Sequence, residues 1–220
     1  MKGLYLALVV SMVFAGSAVL SAATGFGLGV SGANHVPFAP SKGDPPLVFT
    51  SSAPLEDIEG SASDIGGSIT LDPANIEATT GKIVVKVASM QTGIQKRDSH
   101  LMSEPWLNQE KYPQITFDIK ELKNVQRVSG DNGKAVVKAV AVGDFTLHGV
   151  TKRMEVPVTI TYIRESQKTK ERAPGDFVMV QGDFSIALKD FKVEGTKGTV
   201  GSKVGETIQL KTNLFGSTGL

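Results

Sequence analysis

The chain contains no cysteine. Disulfides, thiolate metal sites, a cysteine nucleophile and a lipidated N-terminal cysteine are excluded, so apolar burial must hold the fold. Neither sign of charge is in excess: Lys and Arg number 23 against 22 Asp and Glu, and setting aside a leader that carries Lys2 leaves 22 of each. That balance offers no broad basic field, so no nucleic-acid partner is expected. Histidine is scarce, with three in the chain and no pair at short metal-binding spacing, so neither a metal nor another cofactor is expected. No Gly-x-Ser-x-Gly elbow and no phosphate-loop motif occurs, and the Gly- and Lys-rich stretch 195–203 has the wrong order for one. No catalytic step is expected.

What is present suits one domain with a real core, since 220 residues need no staples. Residues 1–23 read as a signal peptide. Lys2 precedes an apolar run over 4–14, and small residues follow through Ser21-Ala22-Ala23, which fits the small-x-small cleavage pattern. Export to the periplasm or outside the cell follows; the alternative is an uncleaved anchor, because the charge-free run over 3–23 approaches the ~20 residues that span a bilayer. Residues 24–46 are rich in Gly, Ser and Pro and read as a linker or a poorly formed first strand, with His35 in a solvated loop. Gly27-x-Gly29-x-x-Gly32 matches a dinucleotide fingerprint only formally, since it follows a leader and opens no helix.

From residue 47 the pattern becomes β. Residues 47–51 and 65–71 read as a first pair of strands, joined by an acidic connection with a helical turn. Ile83, Val85 and Val87 share one face of a strand, and Ile115, Phe117 and Ile119 share a face of the next. Between them, Ile94, Leu101, Trp106 and Leu107 sit among charged and amide residues, with Ser103 able to cap a turn containing Pro105. This connection reads as short amphipathic helices lying over the end of a sheet. Further strands follow at 134–148, 154–162, 177–188 and 206–212, with Pro157 hinting at an edge or bulge. About eight strands in mostly consecutive antiparallel order suit a closed barrel or a sandwich, and residues 47–213 are taken as that domain, with 214–220 a tail.

Several segments in order carry a resemblance: Gly67-x-Ile69-x-Leu71-Asp72-Pro73, the run 81–94, Lys96-Arg97-Asp98-Ser99-His100-Leu101, the run 111–117 and Gly143-Asp144-Phe145-Thr146-Leu147-His148-Gly149. Together they resemble the YceI-like family, strongly over 48–158 and weakly beyond. The resemblance implies an all-β, eight-stranded, extended antiparallel barrel of lipocalin type with a helical lid. It also implies export, an interior that holds a long apolar chain such as a polyisoprenoid or fatty-acid derivative, and pairing as a homodimer. The chain departs from the family pattern at Lys189–Gly195 and in a long loop at 165–175.

Candidate ligand-binding residues are the inward faces Phe117 with Ile119, Phe145 with Leu147, and Phe184 with Ile186, together with Ile94, Leu101 and Trp106 of the lid. Alternation places them inside and leaves open whether space remains between them. Arg97 and His100 are candidates to orient a headgroup at a polar mouth, or to hold the lid by pairing with Asp98 or backbone carbonyls. His148, at a turn, is expected to bond backbone.

Overall fold

The computed structural model describes residues 24–39, 45–131 and 133–220, so the expected signal peptide, 1–23, lies outside the described residues. The strands are β1 (Asn34–Ala39), β2 (Leu47–Ser52), β3 (Asp57–Ala62), β4 (Ile65–Asp72), β5 (Asn75–Lys86), β6 (Met90–Gln91), β7 (Gln114–Asp131), β8 (Lys134–Leu147), β9 (Val150–Ile163), β10 (Phe177–Ala187) and β11 (Thr207–Ser217). Eight of them close a ring in the order β1-β4-β5-β7-β8-β9-β10-β11, and the β1–β11 pairing joins its ends. All the ladders are antiparallel, and closure removes the long edges an open sheet would expose.

The seam is shared by two short strands. β1 pairs with β11 through Phe38↔Gly216, near the base of the barrel, and β2 continues along β11 through Leu47↔Thr212 to Ser51↔Ile208, near the mouth. β2 is covered in turn by β3, and β3 by β6, which prolongs β5. The expected first pair therefore does not form, because β2 is flanked by β11 and β3, and β4 pairs with β1 and β5 instead. β3 escapes the pattern because Gly60 and Ala62 occupy two of its inward positions; a Cβ at Gly60 would strike the Phe49 ring.

Two boundaries also differ from expectation. The Gly/Pro-rich segment 24–46 contributes β1, with Val36 and Phe38 buried, and His35 is exposed on that strand rather than in a loop. The last strand runs on through Phe215 to Ser217, because β10 pairs with it as far as Phe177↔Ser217. In the 165–175 loop, helix α2 (Gln167–Lys170) is held by a reciprocal capping box between Ser166 and Thr169.

One ladder is incomplete. β9 and β10 pair only from Val158↔Gly182 down to Ile163↔Phe177. Pro157 brings no N–H at the next position, and the Gly182 N–H donates to the Thr212 hydroxyl (3.0 Å). Above this point the two strands part. A 3-10 turn, Leu188–Phe191, spans the top of the gap, fixed by Lys152 Nζ to Asp190 (2.9 Å) and by His148 Nδ1–H donating to the Phe191 carbonyl (3.2 Å).

The base is filled. The segment that starts at Thr24 crosses it and buries Phe26, whose ring centroid lies 4.9 Å from that of Tyr162. Val36, Leu71, Ile76, Ala135, Val137 and Val178 complete this cluster, all fully buried. The Tyr162 hydroxyl donates to the Asp176 carboxylate, and burial, then that bond, pushes the phenol pKa well above its ordinary value.

Candidate functional site

The upper half of the same barrel is hollow, enclosing a cavity of about 460 Å³ within the range of small-molecule sites. Its walls come from inward positions that strand alternation assigns. Phe117 and Ile119 of β7, Phe145 and Leu147 of β8, and Phe184 and Ile186 of β10 all line it. Phe145 is the hub: its ring centroid is 6.3 Å from Phe117, 6.2 Å from Phe184 and 5.4 Å from Phe191. The Phe184 and Phe191 rings meet Phe145 nearly edge-on, the arrangement the aromatic quadrupole favours.

The deep wall offers a ligand almost nothing polar. The Thr79 hydroxyl donates to the Ile76 carbonyl (2.7 Å) and Thr212 Oγ1 accepts from the Gly182 N–H, while nearer the mouth Ser51 Oγ accepts from the Gly205 N–H (2.8 Å). Among the described residues, no buried side-chain nitrogen or oxygen lacks a partner. A headgroup carried into this interior would lose its water without replacement.

Polar groups gather at the mouth, under and around helix α1 (Gln95–Met102). Arg97 Nη1 meets Glu56 Oε1 at 2.6 Å and its Nε donates to Thr92 Oγ1 at 3.0 Å. Asp98 pairs with neither candidate cation; it accepts from the backbone N–H and the hydroxyl of Thr92, both at 2.6 Å, and so fixes the start of α1. Lys96, His100 and Lys203 also line the mouth, all exposed, and neither lysine has an ion-pair partner among the described residues.

The lid closes over this rim as one two-turn helix and a run of turns. Ser103 does not cap a following helix; it ends α1, its hydroxyl donating to the His100 carbonyl (2.6 Å). Trp106 is buried against Gly195, where a Cβ would collide with the indole, and the Gly195 N–H donates to the Pro105 carbonyl (2.7 Å). Leu101 and Trp106 face the cavity, whereas Ile94 stands at its rim, 52% exposed. All eleven residues singled out in the sequence border the same cavity.

Sequence reasoning missed Glu56, Thr92, Lys96 and Lys203 at the mouth, Phe49 and Met90 in the wall, and Phe191, which backs Phe145. Glu56 lies in the acidic connection after the first strand, and only the β2–β3 hairpin brings it to Arg97, 41 residues away. The backbone reading of His148 agrees with its bond to Phe191, and with Gly149 it forms the two-residue β8–β9 turn, both at positive φ (51° and 73°).

The sequence profile of the YceI-like domain matches residues 47–215. A UPF0312 protein of Photorhabdus laumondii is 38% identical over 139 residues, covering 63% of this chain and 65% of that protein's length. A UPF0312 protein of Yersinia pestis is 34% identical over 148 residues, 66% of this chain and 68% of its own. Among solved structures, Burkholderia cenocepacia BcnA superposes with a TM-score of 0.60 at 21% identity, over 77% of this chain and 94% of BcnA. A polyisoprenoid binding domain from Saccharophagus degradans superposes with a TM-score of 0.59 at 16% identity, over 84% of this chain and 99% of that domain. At such identities the two structures speak for the fold.

Proposed function

The chain belongs to the YceI-like domain family, and from that premise we propose that it is an exported, non-catalytic carrier of a long-chain lipid of polyisoprenoid or fatty-acid type. The apolar chain occupies the hollow upper barrel and the polar end stays at the mouth. The observation that carries this reading is the division of polarity: the deep wall is apolar apart from a few hydroxyls, while Arg97, Lys96 and Lys203 ring the opening. The polyisoprenoid binding domain with the same fold adds weight to the ligand class. A filled barrel acting only through a protein partner is disfavoured by a cavity of about 460 Å³. The cavity is built by one chain, so pairing of two copies, which the family resemblance implies, is not required for binding.

Chemistry is not needed at this site. His148 commits its Nδ1 proton to a backbone carbonyl, and His100 stands exposed on the rim without the enclosed partner a general base uses. The driving force is burial of methylenes at about 0.8 kcal/mol each, so lengthening a ligand by two carbons should tighten binding about tenfold until the cavity is full. Trp106, the only tryptophan, lines the cavity and reports occupancy by its fluorescence. Titration with carboxylates of rising chain length tests the reading. A steep rise that levels off is expected; affinity independent of chain length would refute it.

A further inference from the structure

The base of the barrel contains a carboxylate pair of oxygens aimed at a single backbone nitrogen. Glu77, the third residue of β5, brings both oxygens to the nitrogen of Thr24, at 3.0 and 3.2 Å. An amide N–H has one proton to share between them, whereas a terminal ammonium has three and a positive charge. Thr24 is also the residue that follows Ser21-Ala22-Ala23, the small-x-small end of the leader. From that residue onward the chain is stitched to the β4–β5 turn: the Ile76 N–H donates to the Thr24 carbonyl (3.0 Å), the Phe26 N–H to the Pro73 carbonyl (2.8 Å), and the Phe26 side chain is fully buried against Tyr162.

We propose that Glu77 is the receptor for a new N-terminal ammonium made by cleavage between Ala23 and Thr24. A leader peptidase adds water across that peptide bond; the carboxylate leaves with Ala23, and the Thr24 nitrogen takes up protons to become –NH3⁺. An amide-to-carboxylate hydrogen bond is thereby exchanged for an ion pair with the same carboxylate, with three protons to share between its two oxygens, at a half-buried position. Processing thus tightens the plug that seals the base. The inference rests on the exported reading above, and adds to it a processing position and a residue that reads it.

The test begins with intact-mass analysis of the protein exported from cells carrying the full chain. A mature form starting at Thr24 is expected. A start beyond Phe26 leaves export standing and overturns the ammonium receptor; recovery of only the uncleaved chain overturns both. Urea unfolding then compares the form starting at Thr24 with one retaining Ala22 and Ala23, each with Glu77 and with Glu77→Gln. The mature form should have an unfolding constant about tenfold smaller than the extended form, and Glu77→Gln should erase that advantage. An equal effect of the substitution in both forms would overturn the proposal. Should the Gln variant fail to fold, the wild-type advantage is read at low salt and at about 1 M salt, where an ion pair is weakened more than a hydrogen bond from an uncharged amide; an advantage unchanged by salt would overturn the proposal.

Discussion

Strands β9 and β10 run through two different interiors. Near the base, Tyr162 and Val178 are buried without residual exposure and their strands are fully paired; a few residues further, Val158, Val180 and Phe184 face open space and the pairing stops at Pro157. The alternation that turns even-numbered residues inward is the same in both halves. What differs is what arrives from elsewhere in the chain. The base receives Phe26, carried in by the segment that starts at Thr24, whereas the mouth receives a lid whose helix α1 has no fully buried residue. An inward face is therefore a core where a second segment fills it and a binding site where none does.

The comparison can be broken first at the base. Tyr162→Ala removes a fully buried ring in contact with Phe26, and should cost about 3–5 kcal/mol in urea unfolding, as for other buried aromatic truncations. Phe184→Ala enlarges a space that already exists, so the same measurement should give only about 1–2 kcal/mol. Equal costs at the two positions would mean that the upper half is packed like the lower.

Binding should rank the positions the other way. Phe117→Asp places a carboxylate on the apolar wall, and lipid affinity read through Trp106 should fall at least about 100-fold, from the cost of desolvating that charge, while the fold persists. At the mouth, Arg97→Gln breaks a partly exposed pair with Glu56 and should cost under about 1 kcal/mol of stability. Its effect on affinity should be about three- to tenfold, for an anionic chain such as a fatty acid and not for its methyl ester.

The smallest effect is one of pH. The folded Tyr162 phenol titrates above the ordinary value of 10.0, chiefly because it is buried and then because it donates to Asp176. The folded state therefore holds that proton more tightly than the unfolded chain. Its contribution to stability is fully present below about pH 10 and is lost as the pH rises from there towards the folded value. Tyr162→Phe should flatten this alkaline fall; an unchanged slope would place its cause elsewhere.

Most of the barrel was legible because period-2 alternation survives in long strands such as β8, where Ala135, Val137, Ala139 and Ala141 point in from one side of the strand. β3 was not, since Gly60 and Ala62 sit inward and its acidic outward neighbours read as a loop. β1 was hidden by Pro37 and the surrounding glycines. The cavity-lining residues could be named from alternation, but the empty space could not, because volume depends on how strands separated by a hundred residues are spaced. The mouth was half legible: Arg97 stood out, while its partner Glu56 arrives from a hairpin 41 residues earlier.

The central claim is that the upper barrel holds one long apolar chain, and native mass spectrometry of the purified protein tests it most directly. The account predicts a bound species at one per chain, released into organic solvent as a long-chain lipid and displaced by a fatty-acid or isoprenoid probe. A protein of bare-chain mass that takes up neither probe would contradict it.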